Sequence, residues 1–305
     1  MDLRFWRQKT IGYICVMLLL KPGNFPDYEL LDCGDFEKLE RFGKYITIRP
    51  EPQAVWPKMA SPKEWNKTAH VRFIPKSGST GVWQKMQEMP DRWHMGFEIE
   101  KGNTLKFRLA LTSFKHVGLF PEQAVNWDYI FKQTKRLKSP SPKVLNLFAY
   151  TGASSLAAKA AGADVTHLDS VRQVVTWARE NMELSGLDNI RWVIEDAMTF
   201  VRREHKRGKR YNGIILDPPA YGHGANGEKW KLEDMIAELT TLVTELLEPE
   251  DRFLLMNTYS LGFSSIIIEN LLNSTCLKGS FETGEIFLQS SSGPKLPLGV
   301  FGRTI

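Results

Sequence analysis

The sequence predicts an α/β protein, with a doubly wound parallel sheet in the C-terminal half joined to a smaller β-rich N-terminal domain. Two observations lead there. From residue 143 onward, apolar runs of strand length alternate with longer stretches of helical period, the pattern of a parallel sheet covered by helices on both faces. From about Tyr28 to Thr112 the runs are short and β-type, and turn formers separate them, as in a small sheet-rich unit. A chain of 305 residues with 42% hydrophobic content is long enough to build a core in two compact units.

At the N-terminus, Arg4, Arg7 and Lys9 precede the apolar run Ile11 to Leu20. The arrangement resembles a secretory signal but lacks the small-residue cleavage site, and the run is shorter than the ~20 residues that cross a bilayer. Lys21-Pro22-Gly23 then reads as a turn. The expectation is a cytoplasmic protein with no membrane association, whose residues 1 to about 16 are an extension that adds little to the fold. Cys15, Cys33 and Cys276 are widely spread and lack the paired spacings of a zinc site or disulfide framework. A reducing compartment and no metal follow. The formal net charge of +5 admits a polyanionic partner without requiring one.

Within the N-terminal unit, Tyr45 to Arg49, His70 to Ile74, Phe97 to Ile99 and Thr104 to Leu109 read as strands, separated by Gly43, Pro50, Gly78 and Gly102. A helical stretch from Glu122 to Leu137 follows. Lys138-Ser139-Pro140-Ser141-Pro142 reads as a linker, because two X-Pro units disfavour continued helix. The predicted organisation is therefore a β-rich accessory domain over 1–115, a helical connector over 116–142 and an α/β domain over 143–305.

In that last domain the predicted strands are Val144 to Phe148, Asp164 to Asp169, Arg191 to Glu195, Gly213 to Leu216 and Phe253 to Asn257. The helices between them are Ala153 to Ala161, Val171 to Ser185, Ala197 to Lys206 and Leu232 to Leu247. Ligands of such sheets bind at the carboxyl ends of the strands. The first strand ends in Asn146-Leu147-Phe148-Ala149-Tyr150-Thr151-Gly152, where Gly152 permits close backbone approach and the next helix offers free N–H groups. The second ends at Asp169 with Ser170 beside it, and a carboxylate there can accept hydrogen bonds from both hydroxyls of a ribose. The third ends in Glu195-Asp196, and Asp196 reads equally well as a helix N-cap or as an acceptor for an adenine amino group. The fourth ends in Asp217-Pro218-Pro219-Ala220-Tyr221, a carboxylate and an aromatic ring held by a stiff pair of prolines. A dehydrogenase is disfavoured because the first loop lacks the G-x-G-x-x-G cradle for a pyrophosphate.

In their order and spacing these segments resemble the motifs of class I S-adenosylmethionine-dependent methyltransferases, and most of all bacterial large-subunit ribosomal RNA methyltransferases. The similarity covers residues 143 to 270. It extends upstream to Gly118-Leu119-Phe120-Pro121-Glu122-Gln123, which is similar to the Gly-x-Phe-x-Asp-Gln segment of that family. The runs Tyr28 to Asp32 and Glu37 to Gly43 resemble a branch in which a small β domain takes the place of the usual RNA-binding module. The resemblance implies a Rossmann-like class I methyltransferase fold with S-adenosyl-L-methionine as cofactor. It implies that Asn146, Phe148, Ala149, Tyr150, Thr151 and Gly152 line the methionine and ribose side, with Phe120 and Gln123 beside them. Asp169 and Ser170 then meet the ribose and Asp196 the adenine, while Asp217, Pro218, Pro219 and Tyr221 form the catalytic loop facing the acceptor.

Carbon-5 methylation of cytosine needs a thiolate that adds to the ring. The loops after the fourth and fifth strands, Asp217 to Tyr221 and Asn257-Thr258-Tyr259-Ser260, contain no cysteine, and Cys276 reads as an inert core residue. A nitrogen acceptor in RNA, ribosomal RNA foremost, is the favoured expectation. The alternatives are a protein or small-molecule acceptor, a cytosine-C5 enzyme, and a nucleotide-binding module without catalysis. Two basic clusters, Lys132 to Lys138 and Arg202 to Arg210, read as solvated faces, the second favoured by the helix dipole.

Overall fold

The computed structural model describes residues 17–76, 80–224, 227–259 and 262–305. Cys15, Gly78, Ser260 and the expected extension over residues 1 to 16 lie outside the described residues.

Strand β1 (Leu18–Leu20) is followed by the antiparallel strands β2 (Tyr28–Gly34), β3 (Glu37–Phe42) and β4 (Tyr45–Pro50). Helix α1 (Pro62–Thr68) then returns the chain so that β5 (Val71–Pro75) pairs parallel with β4, and β6 (Gly81–Lys85) closes a five-stranded sheet of order β2-β3-β4-β5-β6. Helix α1 starts where it does because Ser61 and Glu64 form a reciprocal capping box ahead of Pro62, which satisfies two backbone donors at the helix start. Strands β7 (Arg92–Glu100) and β8 (Asn103–Ala110) form a separate hairpin. Strict alternation of buried and exposed positions along β7 turns Trp93, Met95, Phe97 and Ile99 inward, as a one-sided sheet requires.

A single 3-10 turn (Pro121–Gln123) leads into α2 (Ala124–Arg136). Then come β9 (Lys143–Leu147), α3 (Ala153–Ala160), β10 (Asp164–Asp169), α4 (Arg172–Leu184), β11 (Ile190–Ile194), α5 (Ala197–Lys206) and β12 (Gly213–Leu216). A small hairpin of β13 (Tyr221–His223) and β14 (Lys229–Lys231) precedes α6 (Leu232–Glu245), β15 (Phe253–Thr258), α7 (Ser265–Asn273), β16 (Phe281–Gln289) and β17 (Lys295–Thr304). The large sheet has the order β11-β10-β9-β12-β15-β17-β16-β1. From β9 the chain winds outward through β10 and β11, then returns to place β12 on the other side of β9. The switch point therefore lies between β9 and β12. All neighbours in the sheet are parallel except β17, which runs antiparallel to both β15 and β16.

The central strands are buried along almost their whole length, including Leu145, Leu147, Ile214, Leu216 and Phe253 to Met256. Each such aliphatic side chain contributes about 1.5–3 kcal/mol when fully removed from water, and continuous apolar strands of this kind are stable only with both faces covered. One hydrophobic cluster runs from Tyr28, Phe42 and Trp93 through Trp127 to Val144, Leu156 and Phe253. The β-rich sheet, the hairpin and the near face of the large sheet thus share a core. The linker over 138–142 is fastened as well, with the backbone N–H groups of Lys138 and Ser139 donating to the Asp251 carboxylate.

The predicted fold class holds, and the strands and helices from β9 to β12 fall where the period places them. The sequence reading did not include α1, β6, the β13–β14 hairpin or the β16–β17 pair. Strands β16 and β17 carry Gly284, Pro297, Gly299 and Gly302, residues that argue against a strand when read locally. Pro297 sits at an irregularity in the ladder, opposite Phe287 and next to the shift in register, where its missing N–H leaves no gap. Leu18–Leu20 pairs with Gly284–Ile286 at the sheet edge, a long-range contact with no local signature.

Candidate active site

The loop between β9 and α3 is tightly folded, with Phe148 at φ 56°, Tyr150 at φ 49° and Gly152 at φ 92°. Two non-glycine residues in the left-handed region within three positions are unusual, and the surroundings hold them there. The Ala149 N–H donates to Leu168 O at 3.0 Å and the Tyr150 N–H to Asp169 Oδ2 at 2.9 Å. The other oxygen of Asp169 accepts from the Val171 N–H at 3.0 Å. One carboxylate therefore ties the ends of β9 and β10 together. Burial raises the Asp169 pKa, and hydrogen bonds from Val171, Tyr150 and Ser170 backbone amides oppose the rise.

Gly152 packs against α4, where an added Cβ would stand 2.9 Å from the Cβ of Ala178. Thr151 turns inward and its hydroxyl donates to Gly118 O at 2.7 Å. That contact brings the 118–123 segment against the loop. A Cβ on Gly118, at φ 103°, would stand 2.2 Å from the Trp177 ring, so only glycine allows this approach. The Phe120 ring then lies 5.3 Å from that of Tyr150 and 4.9 Å from His116. Burial, with Arg49 and Lys115 adding to it, holds the His116 pKa well below the usual histidine value. Replacing Gly152 by Val should lower affinity for S-adenosylhomocysteine about tenfold, since a β-branched residue at positive φ costs ~1–2 kcal/mol. Calorimetric titration checks this, and an unchanged dissociation constant would show that the turn does not approach the ligand.

Other residues singled out in the sequence are placed as follows. Asn146 is buried and its Nδ2 donates to Ser155 Oγ at 2.9 Å, which in turn meets His167 Nδ1 at 3.0 Å. Its amide is committed beneath the loop, where it holds α3. Asp196 caps α5 by accepting from the Thr199 N–H at 2.8 Å, and neighbouring Glu195 grips Arg203 with both oxygens. Ser170 Oγ donates to His223 O at 3.0 Å, which joins the end of β10 to the β13–β14 hairpin. Trp230 anchors that hairpin. Its indole N–H donates to Pro219 O at 2.6 Å, and its ring packs 4.9 Å from Phe148. Pro218 is buried and Pro219 exposed, while Tyr221, 68% exposed, projects into solvent beyond them.

Asp217 ends β12 at the switch point. The residue is half-buried, and burial pushes its carboxyl up to about 6 against the hydrogen bond that Asn257 Nδ2 donates at 2.9 Å. Asn257 was visible in the sequence as a polar residue ending an apolar strand, but no role was read from it. Also missed was a charged cluster between the β-rich sheet and the site. Buried Glu40 accepts from Tyr28 at 2.8 Å and from Arg49 at 2.8 Å, and lies 3.6 Å from Lys38. Lys38 reaches Glu51 at 3.2 Å, and Glu51 accepts from the Tyr259 hydroxyl at 2.6 Å. Burial disfavours the charged form of Lys38, but Glu40, Glu51 and Glu122 together outweigh it and its pKa is raised. Glu122, buried beside them, is pushed up to about 7 by burial. Charged side chains normally face solvent, so nothing local marks these as buried.

A doubly wound sheet whose first loop is closed by glycine, whose second strand ends in a tethered carboxylate and whose fourth presents Asp-Pro-Pro beside an exposed ring defines a class. It is that of Rossmann-like folds that hold a nucleoside cofactor at the switch point. The model of the S-adenosylmethionine-dependent methyltransferase family matches residues 66–275, and the chain belongs to that family. A SAM-dependent methyltransferase structure from Agrobacterium tumefaciens superposes with a TM-score of 0.88 at 34% identity, covering 95% of this chain and 93% of that one. The structure of SMU.776 complexed with SAH superposes at 0.71 over 93% of this chain and 76% of its own, with 18% identity, which speaks for the fold alone. Among curated proteins, ribosomal RNA large subunit methyltransferase K/L of Shewanella frigidimarina is 31% identical over 157 residues, 50% of this chain and 21% of that protein. Its counterpart in Pseudoalteromonas translucida is 29% identical over 154 residues. The chain spans about a fifth of the length of these relatives.

The family is thus that of S-adenosylmethionine-dependent methyltransferases. The residues at the switch point fit that cofactor: a carboxylate at the second strand end suits a ribose diol, and half-buried aromatic rings beside the loop suit a sulfonium. Among the described residues no group of three or more metal-ligating side chains occurs, and no helix is long and apolar enough to cross a membrane.

Proposed function

We propose that this enzyme methylates a nitrogen of a base in RNA, ribosomal RNA foremost, in the cytoplasm. The observation that carries the reading is the pairing, at the end of β12, of a carboxylate with an exposed aromatic ring and no thiol. Among the described residues, Cys33 is buried in β2 with its thiol pushed up to about 11 by burial. Cys276, expected in the core, is instead exposed between α7 and β16, near Leu247, Arg252 and Lys209 at the end of the sheet opposite Asp217. Neither is placed to add to a base held at Asp217. The names of the K/L relatives support RNA as the substrate.

When bound, S-adenosylmethionine supplies a methyl group already activated by its sulfonium. The Asp169 carboxylate is proposed to hold the ribose, with Ser170 beside it, and the loop over 148–152 and Phe120 to enclose the methionine side. Gln123 lies beside them, and Asp196, whose Oδ1 caps α5, marks the adenine end. Asp217 accepts a hydrogen bond from the exocyclic amino group or ring N–H of the base, which fixes the nitrogen lone pair on the line toward the methyl group. Tyr221 stacks on the ring, as aromatic side chains do on unstacked bases. Most of the acceleration then comes from alignment and exclusion of water. Mass spectrometry of nucleosides from ribosomal RNA of cells with and without the gene should show one N-methylated nucleoside missing from the deleted strain. A missing 5-methylcytidine would sink the nitrogen acceptor, and an unchanged RNA profile would move the substrate to a protein or small molecule.

A further inference from the structure

Three side-chain amides and one carboxylate form a line through the interior. Asn126, in the first turn of α2, is 1% exposed, and Asn257, on β15, is 2% exposed. Asn126 Nδ2 donates to Gln123 Oε1 at 2.7 Å and approaches Asn257 Oδ1 at 3.5 Å, and Asn257 Nδ2 donates to Asp217 Oδ1 at 2.9 Å. The polarity is forced from one end. An ionised Asp217 only accepts, so Asn257 must present its Nδ2, which leaves its Oδ1 to receive a donor from Asn126. The Asn126 amide nitrogen serves both neighbours, and its own Oδ1 is buried with no partner.

A buried amide line that leaves an acceptor unpaired is costly compared with apolar packing, and here its terminus is the carboxylate at the switch point. The backbone makes room for it: Gly299 of β17, at φ 150°, would place a Cβ 3.6 Å from both amide atoms of Asn257 and 3.1 Å from Thr258 O. At the other end, Gln123 closes the segment whose Phe120 ring packs on Tyr150 of the cofactor loop.

We infer that Asn257 is a positioning residue for methyl transfer, holding the Asp217 carboxylate toward the acceptor, and that Asn126 and Gln123 hold Asn257 in turn. The inference rests on the reading of Asp217 as the group that faces the acceptor. It makes the cofactor segment and the acceptor carboxylate parts of one hydrogen-bonded path, so that the two reacting partners are aligned by a shared support. Burial raises the Asp217 carboxyl and the Asn257 bond opposes the rise.

The test uses the full chain labelled with carboxyl-13C aspartate. The Asp217 resonance is identified by its loss in Asp217→Asn, and turnover is measured with ribosomal RNA from cells lacking the gene and S-adenosylmethionine labelled in the methyl group. In the wild type this resonance should titrate near pH 6. In Asn257→Ala it should move up by about 1–2 pH units, the effect of losing a hydrogen bond to a charged group. Turnover should fall about tenfold or more, with KM for S-adenosylmethionine unchanged. Asn126→Ala, which removes only the support of Asn257, should shift the titration the same way by less, and it serves if Asn257→Ala does not fold. A titration unmoved in the folded variants, with Asp217→Asn inactive, overturns the positioning role alone. Turnover that survives Asp217→Asn overturns the reading of Asp217 on which the inference rests.

Discussion

Asp217→Ala should lower turnover by roughly 100-fold or more while leaving affinity for S-adenosylhomocysteine unchanged, because in the proposed mechanism the interaction removed is made with the acceptor as charge develops on it. Single-turnover kinetics and calorimetry on the same preparation separate the two quantities. Weakened cofactor binding with the rate of the bound complex unchanged would place Asp217 on the cofactor side. The substitution also leaves the Asn257 amide buried without its acceptor, at a cost of about 1–3 kcal/mol, so the melting temperature should be recorded alongside. The pH dependence of the wild type has the same origin. With its carboxyl pushed up to about 6 by burial, Asp217 loses its acceptor charge as pH falls through that value, and the rate should fall with it. Unfolding through this group runs the other way. The folded state binds the proton more tightly than the unfolded chain, so the contribution of Asp217 to stability grows as pH falls through 6 and is lost as pH rises through it. An acid loss of rate with an intact melting transition is therefore expected.

The largest effect on stability should come from Glu40→Ala. Glu40 is fully buried and balances Arg49 and, at 3.6 Å, Lys38, while accepting the Tyr28 hydroxyl. Removing one member of a buried charged group leaves the others uncompensated and costs ~3–5 kcal/mol, whereas the pair in place adds little net stability over apolar packing. Urea denaturation should show a lower midpoint with a similar slope. Arg202→Ala is the natural control. It removes an ion pair with Glu238 in which both side chains are about half exposed, and such pairs contribute at most about 1 kcal/mol. Equal midpoints for the two variants would mean that the buried cluster carries no more than a surface pair. Because Arg49 also donates to Lys115 O at 3.2 Å, loss of Glu40 should loosen the segment that carries Phe120 and Gln123, and cofactor affinity should fall together with stability.

What the sequence determined by itself is local in origin. Strand and helix period placed β9 through β12 and α3 through α5, because burial on both faces of a parallel sheet imposes continuous apolar runs, and helices on those faces impose a 3.6-residue period. The candidate residues at the strand ends were legible for a similar reason. Asp169 closes β10, Asp217 follows β12 directly, and Gly152 and Asp196 lie in the loops after β9 and β11, and in this topology the carboxyl ends of adjacent strands converge on one crevice. The absence of a thiol from the loops after β12 and β15 was likewise readable residue by residue.

The tertiary structure alone decided the contacts between distant parts of the chain. Glu51 and Tyr259 stand 208 positions apart and Asn126 and Asn257 stand 131 apart, so no spacing or period could pair them. Asp196 reads from the sequence as cap or ligand alike, and the fold shows that its Oδ1 caps α5 by accepting from the Thr199 N–H. Asn146 reads as a ligand-lining residue, and only the fold shows that its Nδ2 donates to Ser155 Oγ. Lys38 and Glu40 on β3 and Arg49 on β4 carry charge yet are buried, and Leu18–Leu20 completes a sheet edge more than 260 residues away in sequence. Polar side chains reveal their role only through their partners, since burial of a charge or an amide is tolerated only where another group satisfies it, and those partners are brought together by the fold.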